Sequence, residues 1–272
     1  MKLFYRHFGN GWPLIIVHGL YGSSDNWLSV AKRLETHFSI YLIDLRNHGH
    51  SPHSSIHSYE AMALDLSEFI EDKHIEKPIL IGHSMGGKVV MQYGLMFPNR
   101  VQRVVVVDIS PLSNSHNQHK QHIIEEHKSI ISTLKGLPIE SVNSYVEADI
   151  MLKKHIDSER LRGFLLKNLG RQGKGFRWKF NLTVIAEQLE SIMQGFEINN
   201  PKHVNQNSFP ILFIKGKESD YIDDDDIKAI HQFYPEFKMV GIDNAGHWVH
   251  AEQQDRFINE LIQFCSIEAH LS

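Results

Sequence analysis

Short β-branched runs alternate along the chain with longer segments whose apolar residues recur at helical spacing. The runs 14–17 (LIIV), 40–45 (IYLIDL), 79–81 (ILI), 104–109 (VVVVDI), 211–214 (ILFI) and 238–242 (KMVGI) predict strands, and residues 3–8 add an edge strand. Several of these runs are apolar at every position rather than at alternate ones, as burial of both faces of a parallel sheet requires. Helices are predicted over residues 24–37, 59–74, 85–97, 223–233 and 250–265. The alternation implies an α/β fold with a doubly wound, mostly parallel sheet.

The rhythm breaks between Pro111 and Pro201, where helical patterns and polar turns occur without a convincing strand. An insertion of that length between two strands is usually functional rather than a plain connection. Residues 111–201 are expected to form a helical cap inserted in a core of residues 1–110 and 202–272.

Composition narrows the partners more than the chemistry. Hydrophobic residues make up 42% and charged residues 22%, enough for one sizeable core. The formal charge of −4 is spread along the chain without a Lys/Arg block, so no nucleic acid or anionic membrane partner is expected. The first residues lack the apolar stretch of a signal peptide, and no segment reaches the roughly 18 apolar residues of a membrane span. Cytoplasm is the expected location. Cys265 is the single cysteine and sits in the apolar pattern of the last helix, where a buried structural thiol is expected.

The segment PILIGHSMGGKVV places G-x-S-x-G (Gly82 to Gly86) directly after a strand and before a helix. A hydroxyl is a poor nucleophile, so a sharp strand-to-helix turn must lift Ser84 out of the sheet towards a base. The helix start offers the backbone N–H of Met85 to an oxyanion. The loop VHGLYG after the strand LIIV offers the N–H of Leu20 as a second donor. Among 19 histidines, His247 in NAGHWVHAEQ lies in a loop just after the last strand, where it can reach over Ser84.

Two aspartates keep the order Ser, Asp, His. Asp220 follows the penultimate strand; Asp108 closes the buried run VVVVD, where a carboxylate needs a partner to offset its desolvation.

Lesser candidates follow from position alone. Arg46 and His48, in DLRNHGHSP, sit in a loop at a strand's carboxyl end, where ligands bind, although a turn-forming role is the plainer reading. Phe176 and Trp178, alternating in GFRWKF, could contact an acyl group or simply pack cap on core. His116, His119 and His122 recur every third residue, but no carboxylate or cysteine completes a metal set, and no metal is expected.

Taken together, GHSMGGK, VDISP, DLRNHGHSP and AGHWVHAE resemble the small bacterial esterases and acyl-CoA thioesterase-like proteins of the α/β-hydrolase superfamily. The resemblance covers nearly the whole chain, least clearly the cap. It implies that the acid is the aspartate of the D-I-[SA]-P segment, here Asp108, while Asp220 occupies the position more usual for the fold.

The expected activity is hydrolysis of a small-molecule carboxylic ester or thioester through an acyl-enzyme, with no cofactor. The alternatives are a carbon–carbon bond hydrolase or lyase on the same triad, and a silent hydrolase fold serving as a receptor.

Overall fold

A computed structural model describes residues 1–112, 120–195 and 209–266. Nine strands occur among these residues: β1 (Tyr5–Phe8), β2 (Trp12–Val17), β3 (Phe38–Ile43), β4 (Ile79–His83), β5 (Arg103–Val107), β6 (Leu169–Gln172), β7 (Gly175–Trp178), β8 (Ile211–Gly216) and β9 (Lys238–Ile242). Seven form one sheet in the order β1-β3-β2-β4-β5-β8-β9, parallel throughout except for the antiparallel edge strand β1.

The continuous apolar runs are explained by two cores. Ile15, Val17, Leu80, Val104, Val106, Ile211 and Phe213 face one side of the sheet. Their neighbours Leu14, Ile16, Ile79, Ile81, Val105, Val107, Leu212 and Ile214 face the other. Successive side chains of a strand point to opposite faces, so a strand buried on both sides has no polar phase. Helices α1 (Leu28–Leu34) and α11 (Gln254–Cys265) cover the second face, and Cys265 is buried there. Helices α2 (Tyr59–Asp72), α3 (Met85–Met96) and α9 (Asp224–Phe233) supply Leu66, Val89, Ile230 and their neighbours to the first.

Between β5 and β8 lie α4 (Gln121–Gly136), α5 (Tyr145–Lys153), α6 (Glu159–Leu166), α7 (Leu182–Glu187) and α8 (Leu189–Met193). This segment is not purely helical, because β6 and β7 pair as an antiparallel hairpin. Its interior residues, among them Ile131, Leu152, Leu165 and Phe176, belong to the same apolar cluster as the first face of the sheet. The segment is therefore packed onto the core as one continuous interior. No helix among the described residues is long and apolar enough to cross a membrane.

The strand order sets the place of the site. β2 pairs with β3 on one side and β4 on the other, so the loops leaving β2 and β4 diverge at their carboxyl ends. A crevice opens at such a reversal, and ligands bind there in open α/β sheets.

Candidate active site

Ser84 occupies the turn between β4 and α3 with φ 51° and ψ −119°. That left-handed conformation is costly for a residue with a Cβ, on the order of 1–3 kcal/mol, and persists only where the surroundings enforce it. The enforcement is visible. The Ser84 N–H donates to the Val107 carbonyl at 3.0 Å, and its own carbonyl accepts from Gly87 at 2.8 Å and Lys88 at 3.2 Å. The motif's two glycines have separate steric reasons. A Cβ on Gly82 would stand 2.2 Å from the Gly86 carbonyl oxygen, and one on Gly86 would stand 2.4 Å from that of Val17. The helix start thus presses directly on the ends of β4 and β2.

Asp108 leaves the end of β5 through a second left-handed residue, φ 51°, anchored by its N–H to the Ile214 carbonyl at 2.8 Å. Its side chain is fully buried and is bonded by donors. Oδ1 accepts from the Gly216 N–H at 3.0 Å, and Oδ2 accepts from the Ser219 hydroxyl and from His247 Nδ1, the latter at 2.8 Å. With Nδ1–H given to the carboxylate, Nε2 of His247 is left as the basic nitrogen.

His247 sits in the loop between β9 and α10 (Val249–Glu252). Its carbonyl accepts from His83 Nε2 at 2.8 Å, and its ring lies flat against Tyr221, 3.6 Å between centroids and 15° between planes. Burial holds His83 well below its ordinary pKa, so it acts as a neutral donor to this loop. His250, the other histidine of the segment, stacks on Trp27 at 4.1 Å and is pushed by burial down to about 3.

Asp220 stands apart from this group. Its side chain is 77% exposed and its nearest ionic partner is His122, Oδ2 to Nε2 3.5 Å. The carboxylate bonded to His247 is Asp108.

The loop after β2 closes the opposite side. His18 donates from Nδ1 to the Gly19 carbonyl at 2.8 Å and accepts at Nε2 from the Leu45 N–H at 3.0 Å. Burial drives its pKa down to about 4, which keeps Nε2 free to accept. A Cβ on Gly19 would come within 2.9 Å of His83 Nδ1 and 3.2 Å of Ser84 Cβ, so the loop hugs the turn as only glycine permits. Leu20 and Met85 both lie beside Ser84 in a small recess that also contains Lys88. Lys88 Nζ donates to the Leu112 and Gln194 carbonyls at 3.0 and 2.8 Å, tying α3 to the segment above it, and burial pushes its pKa down to about 7.

A cavity of about 110 Å³ brings together Ser84 and His247 with Leu20, Tyr21, Tyr221 and Trp248 from the core loops. Its roof comes from Glu126, His127 and Ile130 of α4 and from Leu161 and Phe164 of α6.

The three candidates for substrate contact lie away from the cavity. The Arg46 guanidinium is spent on Asp65, with Nε and Nη2 bonds of 2.6 and 2.8 Å, and on the Ile56 and Ala61 carbonyls. It braces the loop after β3 against α2 and does not line the cavity. Phe176 is fully buried in the β6–β7 hairpin, edge-on to Tyr145 at 4.8 Å and beneath the Arg171 guanidinium. Trp178 stacks on Phe180 at 5.4 Å, one layer behind Tyr21. Both aromatics pack the segment rather than line the cavity. His116 and His119 lie outside the described residues.

Fold and site together define an α/β-hydrolase. Residues 13–129 match the family described as alpha/beta hydrolase fold. The chain is 38% identical over 260 residues to the Danio rerio protein named sn-1-specific diacylglycerol lipase ABHD11, covering 94% of this chain and 79% of the relative. It is 31% identical over 255 residues to Esterase YbfF of Escherichia coli (strain K12), covering 94% and 93%. A solved structure described as Marine microorganism esterase aligns with a TM-score of 0.90 and 42% identity, over 97% of this chain and 99% of that one. The chain belongs to the α/β-hydrolase fold family.

Proposed function

We propose that the chain is a serine esterase that cleaves small carboxylic esters or thioesters through an acyl-enzyme. The observation that carries this reading is the 2.8 Å bond from His247 Nδ1 to the buried Asp108, made in the same cavity that exposes Ser84 on its strained turn. The names of the relatives, a diacylglycerol lipase and two esterases, agree with it.

Nε2 of His247 takes the proton of Ser84 Oγ as the oxygen attacks the acyl carbon. The oxyanion is held by the N–H groups of Leu20 and Met85, whose residues flank Ser84. The imidazolium, paired with Asp108, then gives its proton to the departing alcohol or thiol. Water then loses a proton to Nε2 as its oxygen bonds the acyl carbon, and the imidazolium returns that proton to Ser84 Oγ as the acyl–oxygen bond breaks and the acid leaves. The apolar lining of Leu20, Ile130, Leu161, Phe164 and Trp248 suits an acyl chain. The segment between β5 and β8 supplies the roof and with it the choice of substrate.

A fluorophosphonate probe tests the proposal. Labelling should fall on the peptide holding Ser84, disappear in Ser84→Ala, and be accompanied by turnover of short p-nitrophenyl esters or acyl-CoA thioesters. A receptor would label slowly and turn over neither class. Turnover of a carbon–carbon substrate with no esterase activity would move the chain to the hydrolases of that bond.

A further inference from the structure

The roof of the cavity carries a polar device that the proposed triad does not use. His127, on α4, contacts Tyr21 OH with Nδ1 at 3.3 Å and Tyr221 OH with Nε2 at 3.1 Å. The three side chains come from three separate places in the chain, namely α4, the loop after β2 and the loop after β8, and all three line the cavity beside Ser84.

Their hydrogens can be counted. Burial pushes His127 down to about 4, so near neutral pH its ring has one N–H and one bare nitrogen. Two tyrosine hydroxyls and one imidazole offer three hydrogens, and the two bonds use two of them. The hydroxyl that accepts from the imidazole N–H keeps its own proton, whichever tautomer is present. Among the described residues no further hydrogen bond of either hydroxyl occurs, so one O–H is available to the cavity. Glu126, the residue before His127, lines the same space, and its charge adds to burial in holding both phenols above their ordinary pKa. A donor thus stands within a largely apolar space, and the exposed carboxylate of Glu126 stands at its edge.

We propose that Tyr21, His127, Tyr221 and Glu126 form a subsite for a hydroxyl group of the substrate, which selects uncharged hydroxyl-bearing esters over plain alkyl esters and over esters carrying a carboxylate. A hydroxyl both accepts and donates, and so satisfies the spare O–H and the carboxylate at once. An alkyl group leaves the buried O–H unpaired, whereas an anion is repelled by the Glu126 charge. The inference rests on the esterase reading for its substrate class.

The test compares kcat/KM for ethyl butyrate with 2-hydroxyethyl butyrate, ethyl 4-hydroxybutyrate and monoethyl succinate. At least one hydroxy ester should exceed ethyl butyrate by about tenfold, as one net hydrogen bond allows, and monoethyl succinate should be the poorest. Tyr21→Phe combined with Tyr221→Phe should bring the hydroxy-to-ethyl ratio close to one, and Glu126→Gln should raise monoethyl succinate relative to ethyl butyrate. The ratio is the readout, because a general loss of packing lowers all esters alike. Equal rates for ethyl and both hydroxy esters in the unsubstituted protein, or an unchanged ratio in the double variant, would overturn the subsite. If no ester is turned over, the esterase reading fails separately. The subsite is then judged by the binding of the same esters to Ser84→Ala, followed by calorimetry. A tenfold preference for a hydroxy ester sustains it, and equal binding overturns it.

Discussion

The ring of Tyr221 lies 3.6 Å from that of His247 and within 15° of parallel, covering one face of the imidazole that is bonded to Asp108. The stacking fixes the ring plane, and an aromatic face also favours the imidazolium formed during turnover, by about 1 kcal/mol. Tyr221→Leu should therefore lower kcat/KM on a plain alkyl ester by about tenfold, with most of the loss in kcat. Tyr221→Phe, which keeps the ring, should lose much less on that ester. Equal losses in the two variants would place the contribution in the hydroxyl instead.

The two aspartates separate cleanly by substitution with Asn. Asp108→Asn should cost about four orders of magnitude in kcat, because the imidazole takes the wrong tautomer and its cation loses support. Asp220→Asn should change kcat little, since that side chain is mostly exposed and faces His122. Ser219→Ala removes one donor from the buried Asp108 carboxylate, and the lost charged hydrogen bond should lower stability by about 2 kcal/mol in urea unfolding. A large kinetic defect at Asp220 would contradict the site as drawn.

Acyl-chain selection should lie with the residues that roof the cavity. Phe164, packed against Trp248 at 5.8 Å, is half-buried at the wall, so Phe164→Ala should raise kcat/KM for hexanoyl relative to acetyl p-nitrophenyl esters. Phe176→Ala should instead destabilise the protein by about 3–5 kcal/mol and affect all chain lengths alike, as emptying a buried aromatic site does. The opposite pattern would return the hairpin aromatics to the substrate wall.

Acid should destabilise the fold over a defined window. Burial pushes His18 down to about 4 and His48, His57 and His250 down to about 3, and all four are buried. In the unfolded chain they titrate near 6.5, so below that value the unfolded state binds protons that the native state refuses. Stability is complete above about 6.5 and falls as the pH drops towards 4, by up to about 1.4 kcal/mol per pH unit for each group. Urea midpoints measured from pH 8 to pH 5 should hold down to about 6.5 and then decline steeply. A flat profile across that range would show that these histidines ionise within the folded protein.

The sheet was legible because apolar runs are a local signal. The predicted strand at 238–242 matches β9, and β2, β4, β5 and β8 fall within a few residues of their predicted runs. The run at 40–45 extends too far because Asp44 leaves the sheet, its carboxylate accepting from the Ser24 and His50 N–H groups, which nothing nearby in sequence announces. The hairpin of β6 and β7 escaped detection since β6 (LGRQ) has neither a β-branched residue nor a clean period, and the alternation of Phe176 and Trp178 in β7 is too short to mark a strand by itself. Ser84 and His247 stood out as candidates from their places after strands, whereas Asp108 and Asp220 both follow strands and it was the resemblance that pointed to Asp108. Ser219, Tyr221 and His127 did not stand out: their roles depend on contacts across 111, 26 and 106 or 94 residues, and His127 reads in sequence as one more cap histidine.

In the proposed reaction Ser84 carries the acyl group while His247, supported by Asp108, serves both halves. Rapid-quench mass spectrometry of the protein mixed with p-nitrophenyl butyrate measures this directly. A transient butyryl adduct is expected on the peptide containing Ser84, absent in Ser84→Ala and longer-lived in Asp108→Asn because His247 in the wrong tautomer no longer activates water. Steady hydrolysis with no adduct at Ser84, or with undiminished rate in Ser84→Ala, would contradict it.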